Sequence, residues 1–306
     1  YPFVTGFAGV LAMTLAWAIV NEMFRPANMA MIAEIVPTEK LKPAYALTRL
    51  AINVGMSVGP AVAGFLATRS FFSIFIVDAM TTIAAGIVLV ATPLSYAPVK
   101  PVHHSGSERA KAFRPIILDD RRMLLFLTAI FLTGAVFFQH EGALPLFLVN
   151  DLHLSPAFYG MLFTVNTLLI VFTEVPLKAA TATWPHKRGL TIGAALFAIG
   201  SGGLAIATGP AAIVASIVVW TFGEMMLFPQ AAAYVAEIAP PGRRGEYMGA
   251  YSVAFSLAFA IAPWAGTTGL AELGARTLWL TVFFVGVVGA GIMSQVSTGE
   301  STIITS

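Results

Sequence analysis

The sequence predicts an all-α protein that crosses a membrane many times and is organised as two helical bundles. Three observations carry that prediction: the composition, a series of apolar runs of span length, and a one-sided distribution of Lys and Arg. Hydrophobic residues make up 58% of the 306 residues and charged residues only 10%, whereas a soluble domain carries about a quarter charged. With a mean hydropathy of +0.83, one large soluble core is excluded, because no globule of this size hides that much apolar surface. Seventeen Lys and Arg against fifteen Asp and Glu give no nucleic-acid signal. With no Cys there is no disulfide framework and no thiolate metal site.

A hydrocarbon core about 30 Å thick takes roughly 20 apolar residues per helix. Nine stretches meet that need, at 7–36, 44–67, 70–92, 123–148, 158–178, 190–208, 211–238, 246–269 and 276–295. The first is far too long for a signal peptide and lacks a small-residue cleavage pattern, so it reads as a retained span. The second carries Gly55, Gly59, Pro60 and Gly64, a small-residue stripe that lets another backbone approach. Asp78 is the charge of the third, and His140 with Glu141 of the fourth. The fifth ends in Glu174 and Lys178, four apart in the favourable helix order and read as a surface pair. The sixth is free of acids, and the seventh holds Glu224 and closes on Glu237. The eighth repeats features of the second, as shown below, and the ninth is uncharged after Arg276.

The basic residues fix the orientation. Alternate connections hold thirteen of them: Lys40, Lys42, Lys100, Arg109, Lys111, Arg114, Arg121, Arg122, Lys178, Lys187, Arg188, Arg243 and Arg244. The other connections hold only Arg69 and Arg276, while Arg25 and Arg49 fall inside spans. Lys and Arg concentrate on the cytoplasmic side, so residue 1 is expected outside and the C-terminal tail inside. One connection stands apart: residues 93–122 form a long polar stretch with six basic residues, a linker between bundles. His103 and His104 in it read as solvated side chains, not a metal site.

Sliding the chain on itself by 203 residues superimposes Trp17 on Trp220, Met23 on Met226, Pro26 on Pro229, Glu34 on Glu237, Pro37 on Pro240 and Pro60 on Pro263. Ala30, Ala33, Ile35 and Ala51 add to these, giving ten identities over 44 ungapped positions. The two copies share orientation, which implies two bundles related by an axis along the membrane normal. The copies occupy the first and second spans and the seventh and eighth, so the repeat length is six spans. Twelve spans are expected on that arithmetic, three of them ahead of residue 1, and the expected organisation is an incomplete first bundle at 1–92, a cytoplasmic linker at 93–122, a six-helix bundle at 123–295 and a cytoplasmic tail at 296–306.

These features resemble a major facilitator superfamily transporter: two six-helix halves, a long basic central loop, and Arg25-Pro26 leading to Ala33-Glu34-Ile35-Val36-Pro37. Gly55-Met-Ser-Val-Gly59-Pro60-Ala-Val-Ala63-Gly64 resembles the GxxxGPxxGG antiporter motif of drug:proton antiporters, with Ala63 replacing one Gly, and the family's earlier Gly falls on Ala46. The resemblance makes the nine spans family helices four to twelve. It also implies that the fourth, seventh and tenth of these line a substrate cavity. Glu22 and Arg25, His140 and Glu141, and Glu224 would then face substrate, with an acid on every cavity helix present.

Charges inside a bilayer are costly and are functional hypotheses by default. Glu141 is the expected proton-coupling residue, with His140 beside it and Glu22 as the runner-up; adjacent residues of a helix point about 100° apart, so the first two need not share a face. Capping or kinking ahead of Gly142 and Pro145 is the bland reading of Glu141. Glu22 and Arg25 pair on one helix face, either structurally or to orient substrate. Glu34 and Glu237 are repeat mates at the cytoplasmic ends of their spans and are expected as a cytoplasmic gate, against an ordinary solvated carboxylate. His140-Glu141-Gly-Ala-Leu144 begins like HExxH but lacks the second His, so a zinc site is unsupported. No GxxxxGK[ST] phosphate loop occurs either.

The sequence therefore reads as a carrier and not an enzyme: a monomeric proton-coupled antiporter of the plasma membrane that exports small amphiphilic molecules by alternating access, with no cofactor and the proton gradient as driving force. The expected partners are a small-molecule substrate and the lipid bilayer. A metabolite or sugar uniporter or symporter is the alternative within the same fold, and a non-transporting scaffold or an intramembrane enzyme the alternative outside it.

Overall fold

The computed structural model describes residues 3–4, 6–36, 41–92, 119–240 and 243–296; within helices, the side chains of 21–30, 33–35, 41–43, 45–46, 49–50, 53, 57 and 244 lie outside the description. The helices are α1 (Phe7–Ile35), α2 (Leu41–Ala67), α3 (Phe71–Ala91), α4 (Arg121–Phe137), α5 (Ala143–Leu146), α6 (Pro156–Thr181), α7 (His186–Gly203), α8 (Pro210–Ile238), α9 (Arg244–Leu273) and α10 (Ala275–Met293). No strand occurs among the described residues. Among the described residues, seven helical segments are long and apolar enough to cross a membrane, one of them the interrupted stretch Arg121–Asp151 that contains α4 and α5. The first two predicted spans lie on α1 and α2, whose apolar stretches are Phe7–Val20 and Val54–Ala67.

The chain divides into two compact units, residues 1–111 and 112–306. In the first, α2 packs on α1 and on α3. No residue of α3 is buried, and Met80, Ile83, Ile87 and Val90 lie exposed, the composition of a face turned to lipid. Pro60 lies inside α2. Gly64 is buried, whereas a Cβ at Gly55 or Gly59 would meet no described atom within 4 Å.

In the second unit α7 packs on α8 and α10, α4 on α9 and α10, and α6 on α8. Small residues set these approaches, as they do where lipid removes the hydrophobic drive between helices. A Cβ on Gly193 would stand 2.9 Å from the Leu227 nitrogen, and one on Gly223 2.8 Å from the Gly193 oxygen. The buried core between them includes Phe126, Phe197, Ile213, Leu227, Tyr234 and Trp279.

Local chemistry ends the elements. Asp120 caps α4 by accepting from the Arg122 and Met123 amides, so the helix opens two residues ahead of the expected start at 123 and takes Arg121 and Arg122 out of the linker. The rest of the expected linker, through residue 118, and the tail beyond Val296 lie outside the described residues. Ser155 caps α6 with Pro156 following, where a missing N–H costs nothing. Gly274 alone joins α9 to α10 at φ +78, a conformation that favours glycine.

Candidate functional site

The fourth predicted span is not one continuous helix, a correction to the reading of 123–148. α4 stops at Phe137; Phe138–His140 form a single 3-10 turn, Glu141 and Gly142 a turn, and after α5 residues Phe147–Asp151 form a π turn. Pro145 supplies a reason: it has no N–H for the Glu141 carbonyl one turn back. Gly142 supplies another, since a Cβ there would stand 2.6 Å from Pro263 Cα of α9. The interrupted segment thus lies against the proline of α9, and mid-span kinks at Pro and Gly follow from such local losses.

The break brings His140 and Glu141 together although a straight helix would splay them. His140 Nε2 lies 3.6 Å from Glu141 Oε1, and the histidine side chain is 9% exposed against 43% for the glutamate. His140 Nδ1 is 2.6 Å from the Phe137 carbonyl oxygen, and a carbonyl only accepts, so Nδ1 carries a hydrogen. The Tyr159 hydroxyl donates to the His140 carbonyl at 2.9 Å, satisfying a backbone oxygen freed by the turn. Aromatic rings surround the imidazole: Phe137 at 4.7 Å between centroids, Trp220 at 5.2 Å and Phe163 at 5.8 Å.

Gln139 clamps the same turn to α9. Its Nε2 donates to the carbonyl oxygens of Ala135 at 3.1 Å and Ala262 at 3.0 Å. Its amide oxygen lies against Gly266, where any Cβ would overlap it. Ala258, Ala262, Pro263 and Gly266 occupy the repeat positions of Gly55, Gly59, Pro60 and Ala63, so the second copy of the stripe is the surface on which α4 and its break rest.

Glu224 forms a second cluster. Asn166 on α6 donates through Nδ2 to Glu224 Oε2 at 2.9 Å and to Thr221 Oγ1 at 3.0 Å, while the Thr221 hydroxyl donates to the Ile217 carbonyl at 2.7 Å. Trp220, one turn before Glu224 on α8, is the ring that also faces His140. At the other end of α8, Glu237 Oε2 lies 2.9 Å from His186 Nε2, whose Nδ1 is 2.6 Å from Gln230 Oε1. The expected gate acid therefore has a partner within its own unit. Glu174 and Lys178 pair at 2.6 Å as expected. The side chains of Glu22, Arg25 and Glu34 lie outside the described residues. No group of three or more His, Asp or Glu able to hold a metal occurs among those described.

The sequence names His140, Glu141 and Glu224 but not Tyr159 and Asn166, which bond to His140 and Glu224, nor Gln139 and Thr221 beside them. The signal for Gln139 and Asn166 was available, since a carboxamide inside a bilayer needs a partner much as a charge does.

The family model described as Major Facilitator Superfamily matches residues 1–150 and 140–296. The chain belongs to the Major Facilitator Superfamily. A curated relative, the uncharacterized MFS-type transporter YqjV of Bacillus subtilis (strain 168), is 24% identical over 298 residues, covering 94% of this chain and 72% of its own. A Na(+), Li(+), K(+)/H(+) antiporter of Planococcus maritimus is 23% identical over 282 residues, covering 83% of this chain, which spans 65% of that protein. Among solved structures, a mutant of the peptide transporter POT in complex with alafosfalin aligns with a TM-score of 0.66 at 14% identity, over 97% of this chain and 77% of that one. At that identity the likeness is one of fold. This superfamily member is thus a multi-pass membrane protein of a transporter family, not an enzyme.

Proposed function

We propose that the protein is a proton-coupled antiporter that moves a small amphiphilic molecule by alternating access, with His140 and Glu141 holding the coupling proton. The observation that carries this reading is the facing pair. Because Nδ1 donates to Phe137, Nε2 of the neutral ring is a lone pair, and it faces a carboxylate oxygen at 3.6 Å. Two acceptors in that position repel until one proton joins them. The proton sits on Nε2, giving an ion pair, or on Glu141, giving an O–H that turns toward the ring. A small rotation of the half-exposed glutamate brings the pair within hydrogen-bond reach. Glu141 can thus exchange the proton with whatever lies on its open side, while His140 keeps the buried end of the pair.

Two further features support antiport. The Gly55–Gly64 stripe resembles the antiporter motif, and one relative in the superfamily is a cation/proton antiporter. Glu224, held by Asn166 and one turn of α8 beyond the Trp220 that faces His140, is the substrate-facing acid of this reading, and the rings around His140 are the apolar wall.

The test is Glu141→Gln in the full-length protein reconstituted in liposomes. A gradient of one pH unit is worth about 1.36 kcal/mol per proton, so one-for-one electroneutral exchange accumulates substrate about tenfold. The glutamine still hydrogen-bonds to Nε2 but cannot release a proton. The variant is expected to keep counterflow and bring the accumulation ratio down to about one. A retained tenfold ratio would move the coupling site to Glu22.

A further inference from the structure

Behind the imidazole, within the second unit, lies a cavity of about 20 Å³ whose lining includes Gln139, His140, Ser201, Ser216, Trp220 and Trp279. It is formed at a close approach of α7 and α8. A Cβ on Gly200 would stand 2.8 Å from the Ser216 carbonyl oxygen, and one on Gly203 2.6 Å from Ser216 Oγ. Without those side chains, both serine hydroxyls remain in a space whose other lining is rings and aliphatic groups apart from Gln139 and His140. Trp279 reaches it from α10, is 1% exposed, and has an Nε1 with no hydrogen-bond partner among the described residues. An indole N–H is a donor only, and a buried donor without an acceptor is rare in folded proteins.

We propose that this cavity is a binding site for one water molecule, which accepts the Trp279 N–H and hydrogen-bonds to the hydroxyls of Ser201 and Ser216. Volume and chemistry both fit. One water needs roughly 10–15 Å³ on this measure and two to four polar partners; the cavity offers the room and three partners on three helices. A wholly apolar cavity of this size would stay dry, so the polar lining decides the occupant. The water ties α10 to α7 and α8 beside His140. Its place as a brace for the proton-holding ring rests on the reading under Proposed function, whereas the site itself does not.

Radiolytic hydroxyl-radical labelling of the full-length protein in lipid nanodiscs separates the two. Radicals generated from a water held in the cavity oxidise Trp279 despite its burial. Phe126 and Phe197, both fully buried and absent from the cavity lining, serve as internal references. Trp279 is expected to oxidise while these two stay unmodified, and the Ser201→Ala, Ser216→Ala double variant is expected to lose that oxidation with its fold and the reference residues unchanged. Oxidation of Trp279 no greater than that of Phe126, or equal oxidation in the double variant, would overturn the proposal. Neither outcome depends on whether Glu141 couples transport.

Discussion

The contact between the α4 break and α9 makes a quantitative claim about Gly142. A methyl group there would lie 2.6 Å from Pro263 Cα, 2.9 Å from its oxygen and 3.0 Å from its Cβ, where ordinary contact begins at 3.4 Å. The nearest atom is backbone and cannot swing aside, so Gly142→Ala reaches ordinary contact only if the seam opens by 0.8 Å, from 2.6 to 3.4 Å. That opening would stretch the Gln139–Ala262 hydrogen bond from 3.0 Å past the range in which such bonds hold. Overpacking costs about 1–3 kcal/mol and a hydrogen bond about 1 kcal/mol, so the variant is expected to lose about 2–4 kcal/mol. The matched control is Gly291→Ala near the end of α10, where a Cβ meets nothing within 4 Å; there a glycine in a helix gives way to a better helix former and stability should rise by about 0.5–1 kcal/mol. Both are measured by reversible unfolding of the full-length protein in mixed micelles. Hydrogen exchange at residues 137–142 shows whether the damage is local. Stability of Gly142→Ala equal to or above that of the native protein would refute the seam and the account of the break built on it.

At the N-terminal ends of the same helix pair, the Tyr247 hydroxyl donates to Asp120 Oδ2 at 2.9 Å. A double-mutant cycle of Tyr247→Phe with Asp120→Ala should therefore give a coupling of about 1.5–3 kcal/mol, as for hydrogen bonds to charged groups; additivity within about 0.5 kcal/mol would show the pair to be inert. Asn166→Ala removes the donor to Glu224 and should weaken substrate affinity about tenfold, the lower end of the same range, while leaving the proton-driven accumulation ratio intact. Lost accumulation at unchanged affinity would place coupling on Glu224 instead. The distribution of Lys and Arg predicts that a topology reporter after Ser306 is active only in its cytoplasmic form and one inserted near Asp151 only in its external form. Both reporters on one side would overturn the orientation.

The apolar runs placed the helices because the bilayer imposes the same length on each of them, and ends shifted by only a few residues where a cap such as Asp120 decided them. The repeat at 203 residues was equally legible, since prolines and a tryptophan keep register where leucines and alanines drift. The break in the fourth span was legible only as the alternative reading of Glu141, a kink ahead of Gly142 and Pro145. Pro145 and Gly142 were visible in it, but α5 shows that helix resumes around them, so neither residue alone dictates where the chain yields. That is decided by Pro263, 121 positions beyond Gly142, pressing its backbone into the space the glycine leaves. The same limit applies to the candidate site. His140 and Glu141 were identified as costly charges in an apolar run, yet helix geometry left open whether they share a face. Their meeting is a product of the turn that the α9 contact holds open, and Gln139, the residue that fastens this turn to Ala262, carries no charge to announce it. The geometry of the His140–Glu141 pair and the packing of α9 are therefore one property: a substitution in the stripe Ala258–Gly266 that never touches either residue should still disturb the pair.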